Sequence, residues 1–310
     1  MPTMIHSNKI PIAHVLLALM VVTIWGVNFI FVKLSLEEIS PLLLCALRFL
    51  LASVPAIFFI RFPSAPFKTV AAYGLIMFAL QFGFLFVGMS VGMTPGMASL
   101  ILQVQVFFSL FFAALFLGEK PSVLQVGGAL VSFSGIVVVA MHFDSNVSLL
   151  GFFAILAAAS TWGVGNLITK KLHKVNMISL VIWGSFIACF PMILISLYFE
   201  GTEAIVYSIN HLSWVGSGSL FYIVYASTWV GYGVWNWLLS RHPVSTVVPF
   251  TLLVPIVGLL TSVCFFGETL ESWKAIAALL VVGGLCINTF GSRLFALIVP
   301  RRFDIALSSK

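Results

Sequence analysis

The sequence predicts an all-α membrane protein of ten transmembrane helices, built as two five-helix halves that thread the bilayer in opposite senses. Three observations predict it. The 310 residues are 61% hydrophobic and 8% charged, with a mean hydropathy of +1.16, whereas a soluble domain carries about 25% charged residues. Polar side chains collect in short breaks between apolar runs of about 20 residues, the length that crosses hydrocarbon as a helix; alternating strands of about ten residues, the barrel signature, do not occur in the pattern. Finally, the sequence repeats itself. The stretch TPGMASLILQVQVFFSLFFAALFLGE, Thr94 to Glu119, has a second edition from Pro243 to Glu268, each a Pro-led apolar span closed by Gly-Glu, and Gly118 and Gly267 lie 149 positions apart.

In chain order, a short tail (1–12) precedes the first span, 13–32; its apolar run is too long for a signal peptide and lacks a small-residue cleavage site, so it is expected to be retained. The second span, 41–61, opens at Pro41, and the third, 69–89, follows the Pro63 to Pro66 break. The fourth (95–117) and fifth (122–141) are separated by Pro121. The sixth to tenth are expected at 149–169, 178–199, 214–239, 245–267 and 273–292, ahead of a tail at 293–310, and no soluble domain fits between them. A second pair of signatures aligns the halves, 13–141 and 149–292. Trp25-Gly26-Val27-Asn28 is followed by Lys33 eight residues after the Trp, and Trp162-Gly163-Val164-Gly165-Asn166 by Lys170 at the same distance. Five spans per half is odd, so the second copy enters from the opposite face, the inverted repeat that lets one central site open to each side in turn.

An even span count puts both termini on one side. Twelve of the fifteen Lys and Arg residues fall on that side, only Lys33 and Lys274 on the other, and Arg48 inside a span. Both termini are therefore expected in the cytoplasm. The net charge of +6 follows from this orientation: the basic residues stand singly beside apolar runs and form no nucleic-acid-binding face. Cys45, Cys189, Cys264 and Cys286 lie in apolar runs without CxxC spacing, and read as reduced packing residues, with neither a metal nor a disulfide among them.

The paired Trp-Gly starts, paired Gly-Glu ends and 5+5 layout resemble the EamA-type branch of the drug/metabolite transporter superfamily. The likeness is nearest to its bacterial exporters of O-acetylserine and cysteine, and is carried by VTIWGVNFIFVKLSL, PLLLCALRFLLASVPAIFF, GMASLILQVQVFFSLFFAALFLGE, ISLVIW, VGYGVW and LLVPIVGL. It departs from the family at VGMSVGMTPGM, where many members have an Ala-Leu-x-Tyr-Thr type of sequence. The resemblance implies a multi-pass protein of the bacterial inner membrane that exports small neutral amino acids or related metabolites by alternating access, with no cofactor. Aromatic amino acids or drugs are the alternative cargo, and a non-transporting membrane enzyme or scaffold the alternative class. Partners are then the small-molecule substrate and the lipid bilayer, with a homodimer as a further option.

Polar groups inside hydrocarbon are costly and mark candidate sites. Gln103 and Gln105 lie near the middle of the fourth span; on a regular helix they are about 200° apart, so one is expected to line the path and the other to bond a neighbouring helix. Gln81, mid-third span, offers a donor and an acceptor to a zwitterion or packs between helices. Asn28 and Asn166 bond either substrate or backbone beside their glycines. Arg48 stands about seven residues, or 10 Å, from Pro41; it either snorkels to that interface or anchors a carboxylate. In VGYGVWNW, Gly231 and Gly233 flank Tyr232, with Trp235 on roughly the same face, a pair expected to line the cavity. Pro249 and Pro255 are expected to let the ninth span bend. Gly127, Gly128, Ser132 and Gly135, with Gly283 and Gly284, suggest close packing of the fifth and tenth spans as a scaffold or dimer face. The six His residues sit at span ends or in loops without HExxH, no ATPase-type phosphate loop occurs, and no buried acid suggests a proton relay.

Overall fold

The computed structural model describes residues 11–117, 122–142, 148–172, 175–241, 250–251, 253–267, 269 and 271–298. The expectations placed on residues 1–10 and 299–310 of the tails, on Glu119, Glu268 and Pro243, and on Pro249 lie outside the described residues, while the helix of the tenth span runs on to Ile298, beyond the expected end at 292. Those described form helices and turns with no strand among them. In order they are α1 (Ile12–Leu36), α2 (Pro41–Ser53), α3 (Phe67–Tyr73), the π-helical segment π1 (Gly74–Leu80), α4 (Gln81–Ser90), α5 (Pro95–Leu102), α6 (Gln105–Leu117), α7 (Val123–Ala140), α8 (Leu149–Lys171), α9 (Met177–Phe199), α10 (Gly201–Asn210), α11 (Trp214–Phe221), π2 (Tyr222–Tyr232), α12 (Gly233–Arg241), α13 (Leu253–Phe266) and α14 (Ser272–Ile298). Among the described residues six helical stretches are long and apolar enough to cross a membrane: Ile12–Leu36, Pro41–Phe58, Phe67–Ser90, Pro95–Phe116, Leu149–Thr169 and Met177–Phe199.

Helix starts follow capping chemistry. Ser122 accepts from the backbone of Gln125, which returns the bond through its side chain; Ser148, Asn176 and Ser213 cap α8, α9 and α11. The expected second span is α-helical only to Ser53. Pro55 forces Val54 into extended geometry, and a 3-10 turn (Ala56–Phe58) completes it. The fourth span is not continuous either, since α5 ends at Leu102 and α6 begins at Gln105. Between them Gln103 N–H donates to the Leu100 carbonyl (3.2 Å) and Val104 N–H to that of Ile101 (3.0 Å), tight i to i−3 bonds. The chain also places α10, a short amphipathic helix with Val206, Tyr207 and Ile209 exposed, between the expected seventh and eighth spans.

The two halves interlock. π1 and π2 begin 148 residues apart (222 minus 74), close to the 149-residue motif spacing, so the widened turns occupy matching places. π1 packs on α8 and α9, the first two spans of the other half, and π2 on α1 and α2. Gly26 of the first Trp-Gly pair meets Val257 of α13, and Gly163 of the second meets Phe108 of α6. Those partners are 149 residues apart (257 minus 108), so the glycine of each pair serves the same purpose, admitting a helix from the opposite half. Tryptophans add cross-half hydrogen bonds: Trp25 Nε1 donates to the Ser227 carbonyl (3.2 Å) and Trp229 Nε1 to that of Ala52 (2.8 Å).

α7 and α14 show the relation in most detail. A Cβ on Gly135 would come within 2.9 Å of the Ala277 carbonyl and of Val281, and one on Gly284 would overlap Ser132 and the Gly128 carbonyl. Adding 149 to one contact and subtracting it from its partner turns each into the other, the reciprocity of a two-fold interface. Along α7 the partner number falls as its own rises, so α7 and α14 run antiparallel. Ser132 Oγ, buried, donates to the Val281 carbonyl at 2.8 Å between positions 149 apart. Gly127 and Gly283 have open space beside them and take no part in this contact.

Candidate functional site

A cavity lies between the halves. Trp25, Asn28 and Phe29 of α1, Arg48 of α2, Gln81, Phe82 and Leu85 of α4, and Leu102, Gln103 and Gln105 at the α5/α6 break line it from the N-terminal half. Trp162 of α8, Ser227 and Tyr232 of π2, Thr251, and Val254 of α13 line it from the C-terminal half. Gln81 is the first residue after π1 and Tyr232 the last of π2, so both residues sit where a widened helical turn, a feature frequent at functional sites, gives way to ordinary helix.

Six of the sequence-predicted residues, Asn28, Arg48, Gln81, Gln103, Gln105 and Tyr232, meet at this cavity. Both glutamines of the fourth span reach it, unlike the one expected. The tight turn explains this: at about three residues per turn, two positions lie about 120° apart the short way, against about 160° on an α-helix. Gln105 serves two roles, since Asn166 Nδ2 donates to its Oε1 (2.9 Å) and to Ser109 Oγ (3.0 Å). Asn166 thus stands behind the lining and orients one of its members. Such an interhelical bond is worth about 0.6 kcal/mol, and a double-mutant cycle of Asn166→Leu with Gln105→Leu is expected to return a coupling of that order in thermal unfolding.

Trp235 does not line the cavity. Its ring lies 5.3 Å from that of Trp25, which is also 5.3 Å from that of Tyr232. Gly231 leaves the room this needs, because a Cβ there would fall 2.5 Å from Trp25 Nε1, whereas Gly233 faces open space. Pro255 is buried in the first turn of α13, where its missing N–H costs no helical bond. Trp25 and Trp162, which the duplicated Trp-Gly pairs mark in the sequence, line the cavity without having been among the candidates, as do Phe82, Ser227 and Thr251.

Arg48 is 1% exposed and does not snorkel. Its guanidinium carbon lies over the Phe82 ring, 3.9 Å from the ring centre, with Phe49 and Phe86 at 5.7 and 6.0 Å. Cation–π attraction of about 0.5–2 kcal/mol falls short of the several kcal/mol that desolvating a cation costs. The guanidinium Nε and Nη1 have no hydrogen-bond partner. They are not alone. Among the described residues nine buried side-chain N and O atoms lack a partner, and six belong to this cavity: Asn28 Oδ1, Arg48 Nε and Nη1, both amide atoms of Gln81, and Gln103 Oε1. Each unpaired group costs about 1–3 kcal/mol, so their convergence is a liability to the fold and fits a surface built to meet a polar ligand.

A largely apolar cavity lined from two interlocked helical halves, with a few polar side chains converging in it, is the kind of site a membrane transporter uses. The chain belongs to the EamA-like transporter family, which matches residues 12–141 and 149–290, one copy in each half. It is 39% identical to a probable amino-acid metabolite efflux pump of Salmonella typhimurium and 38% identical to one of Escherichia coli, each over 89% of this chain and 95% of the relative. A probable terminal-alkyne amino-acid exporter of Streptantibioticus cattleyicolor is 25% identical over 63% of this chain and 65% of its own. A solved crystal structure 18% identical in sequence shares the fold, with a TM-score of 0.67 over 93% of this chain and 100% of the other. The protein is thus a multi-pass membrane protein of a transporter family.

Proposed function

We propose that this protein is a secondary transporter of the bacterial inner membrane that exports small neutral amino acids or related metabolites, of the cysteine and O-acetylserine class, by alternating access. Two five-helix halves of opposite topology, 13–141 and 149–292, would rock about the shared cavity, with both termini in the cytoplasm. The observation that carries this reading is the convergence of unpaired polar atoms in a cavity lined by both halves. The antiparallel reciprocity of α7 and α14 favours the inverted arrangement, and the names of the efflux-pump relatives favour the cargo.

Purified protein in liposomes is expected to take up labelled L-cysteine or O-acetyl-L-serine saturably, and a parallel arm with a pH gradient reports proton coupling. Uptake of every amino acid at the level of protein-free liposomes would overturn the proposal. The aromatic wall of Trp25, Phe82, Trp162 and Tyr232 favours a second reading, in which larger apolar amino acids are the cargo; preferential uptake of phenylalanine with cysteine ignored would select it. Gln81→Ala and Tyr232→Ala are expected to lower flux about tenfold, the loss of one to two hydrogen bonds, at unchanged membrane abundance by immunoblot.

A further inference from the structure

Arg48 is the one formally charged side chain among the described lining residues, and no Asp or Glu lines the cavity with it. The unpartnered atoms divide by chemistry. Arg48 Nε, Arg48 Nη1 and Gln81 Nε2 are donors, and Asn28 Oδ1, Gln81 Oε1 and Gln103 Oε1 are acceptors. A carboxylate accepts from a guanidinium fork, and a protonated amine has three N–H groups to give. We propose that the cavity reads its substrate as a zwitterion: Arg48 and the Gln81 amide nitrogen take a carboxylate, and the carbonyl oxygens of Asn28, Gln81 and Gln103 take the ammonium. The transported class is then the free α-amino acid with both ends unblocked, and the inference rests on the transport reading above.

Competing chemistries leave groups unmet. A cationic amine without a carboxylate would meet the Arg48 charge with nothing to offset it, and a monocarboxylate without an amine would leave three buried acceptors unpaired. Ligand orientation follows as well, because every one of these groups comes from the N-terminal half. The positions 149 residues beyond Gln81 and Gln105 are Val230 and Val254. A strictly symmetric site would accept the ligand two ways round. Here the N-terminal half holds the head group, and Trp162, Tyr232 and Val254 of the C-terminal half are left to face the side chain.

The test is counterflow of labelled L-cysteine under reductant by the full-length protein in liposomes, with unlabelled competitors, alongside thermal stabilisation of the detergent-purified protein by the same compounds. The competitors are L-cysteine, L-cysteine methyl ester, N-acetyl-L-cysteine and cysteamine. The free amino acid is expected to compete and stabilise, with each blocked or truncated analogue about tenfold weaker or worse. Arg48→Gln is expected to lose that discrimination between L-cysteine and cysteamine, and Arg48→Lys, which keeps the charge without the fork, to recover part of it. Methyl ester or cysteamine acting within about twofold of L-cysteine on the unmodified protein would overturn the head-group assignment, whatever the variants do. Stabilisation with that selectivity but no counterflow would sink transport and keep the assignment, whereas counterflow without selectivity would do the reverse. Neither signal from any compound would sink both.

Discussion

Replacing Glu200 by Ala is expected to raise the rate at which a maleimide labels Cys45 about tenfold. Glu200 closes α9, yet its carboxylate caps another helix: Oε1 accepts from Leu42 N–H (2.8 Å) and Oε2 from Leu43 N–H (3.0 Å), at the first turn of α2. That turn has no other cap. Pro41 brings no N–H, and Ser40, the residue in the capping position, makes no side-chain bond. Ser196 Oγ holds the carboxylate in place by donating to Oε2 at 2.6 Å. Glu38, at the end of α1, makes a comparable tie to the start of α11, accepting from Ser213 N–H (2.7 Å) and Ser213 Oγ (2.6 Å). Each tie fastens one half to the other at the end of the molecule where α1 gives way to α2. Losing a cap costs about 1–2 kcal/mol, and about 1.4 kcal/mol is tenfold in an opening equilibrium. Cys45, fully buried one turn beyond Leu42, reports that opening. In a background of Cys264→Ser and Cys286→Ser, mass spectrometry resolves Cys45 from Cys189, and Glu200→Gln, able to accept one of the two bonds, is expected to fall between. Equal labelling in all three proteins would show that the capped turn opens without regard to the tie.

Nothing in the sequence announced this cap, because Glu200 and Leu42 are 158 positions apart and a carboxylate at a span end looks the same whether or not a foreign helix uses it. Six apolar spans were legible for the opposite reason. A bilayer demands a long apolar run bounded by breakers, and that demand is written locally, as at Pro41 and Pro121. Arg48 and Gln81 could be read as site candidates because a polar side chain in such a run has to be accommodated by something. Missing was what depends on backbone departures. LQVQV carries neither Pro nor Gly, so the turn at Gln103 and Val104 that brings both glutamines to the cavity has no local signature. The π segments are equally silent in composition, although the bond from Thr228 Oγ1 to the Ile223 carbonyl five residues back (2.9 Å) accompanies the wider turn. Trp25 and Trp162 were visible as a repeated pair, but their place at the cavity follows from cross-half packing, which no single stretch of chain contains.

The largest expected effect falls on the repeat itself. Gly284→Leu is expected to abolish recovery of folded, monodisperse protein, and Gly127→Leu to leave it unchanged. The two changes add the same side chain to a helix in hydrocarbon, so lipid solvation does not separate them. Contact does: Gly284 faces the backbone of Gly128 and Ser132, whereas nothing stands within 4 Å of a Cβ at Gly127. A flexible neighbour yields at a cost of about 1–3 kcal/mol, but backbone atoms yield only by moving the whole of α7 away from α14. That movement breaks the buried bond from Ser132 to the Val281 carbonyl and the mirror contact of Gly135 with Ala277, because the two contacts belong to one interface. Gly135→Leu should therefore reproduce the Gly284→Leu defect, although it lies in the other half. Size-exclusion profiles of the three variants decide the matter: loss in Gly284→Leu with Gly135→Leu intact would mean that α7 and α14 do not pack by the reciprocal scheme.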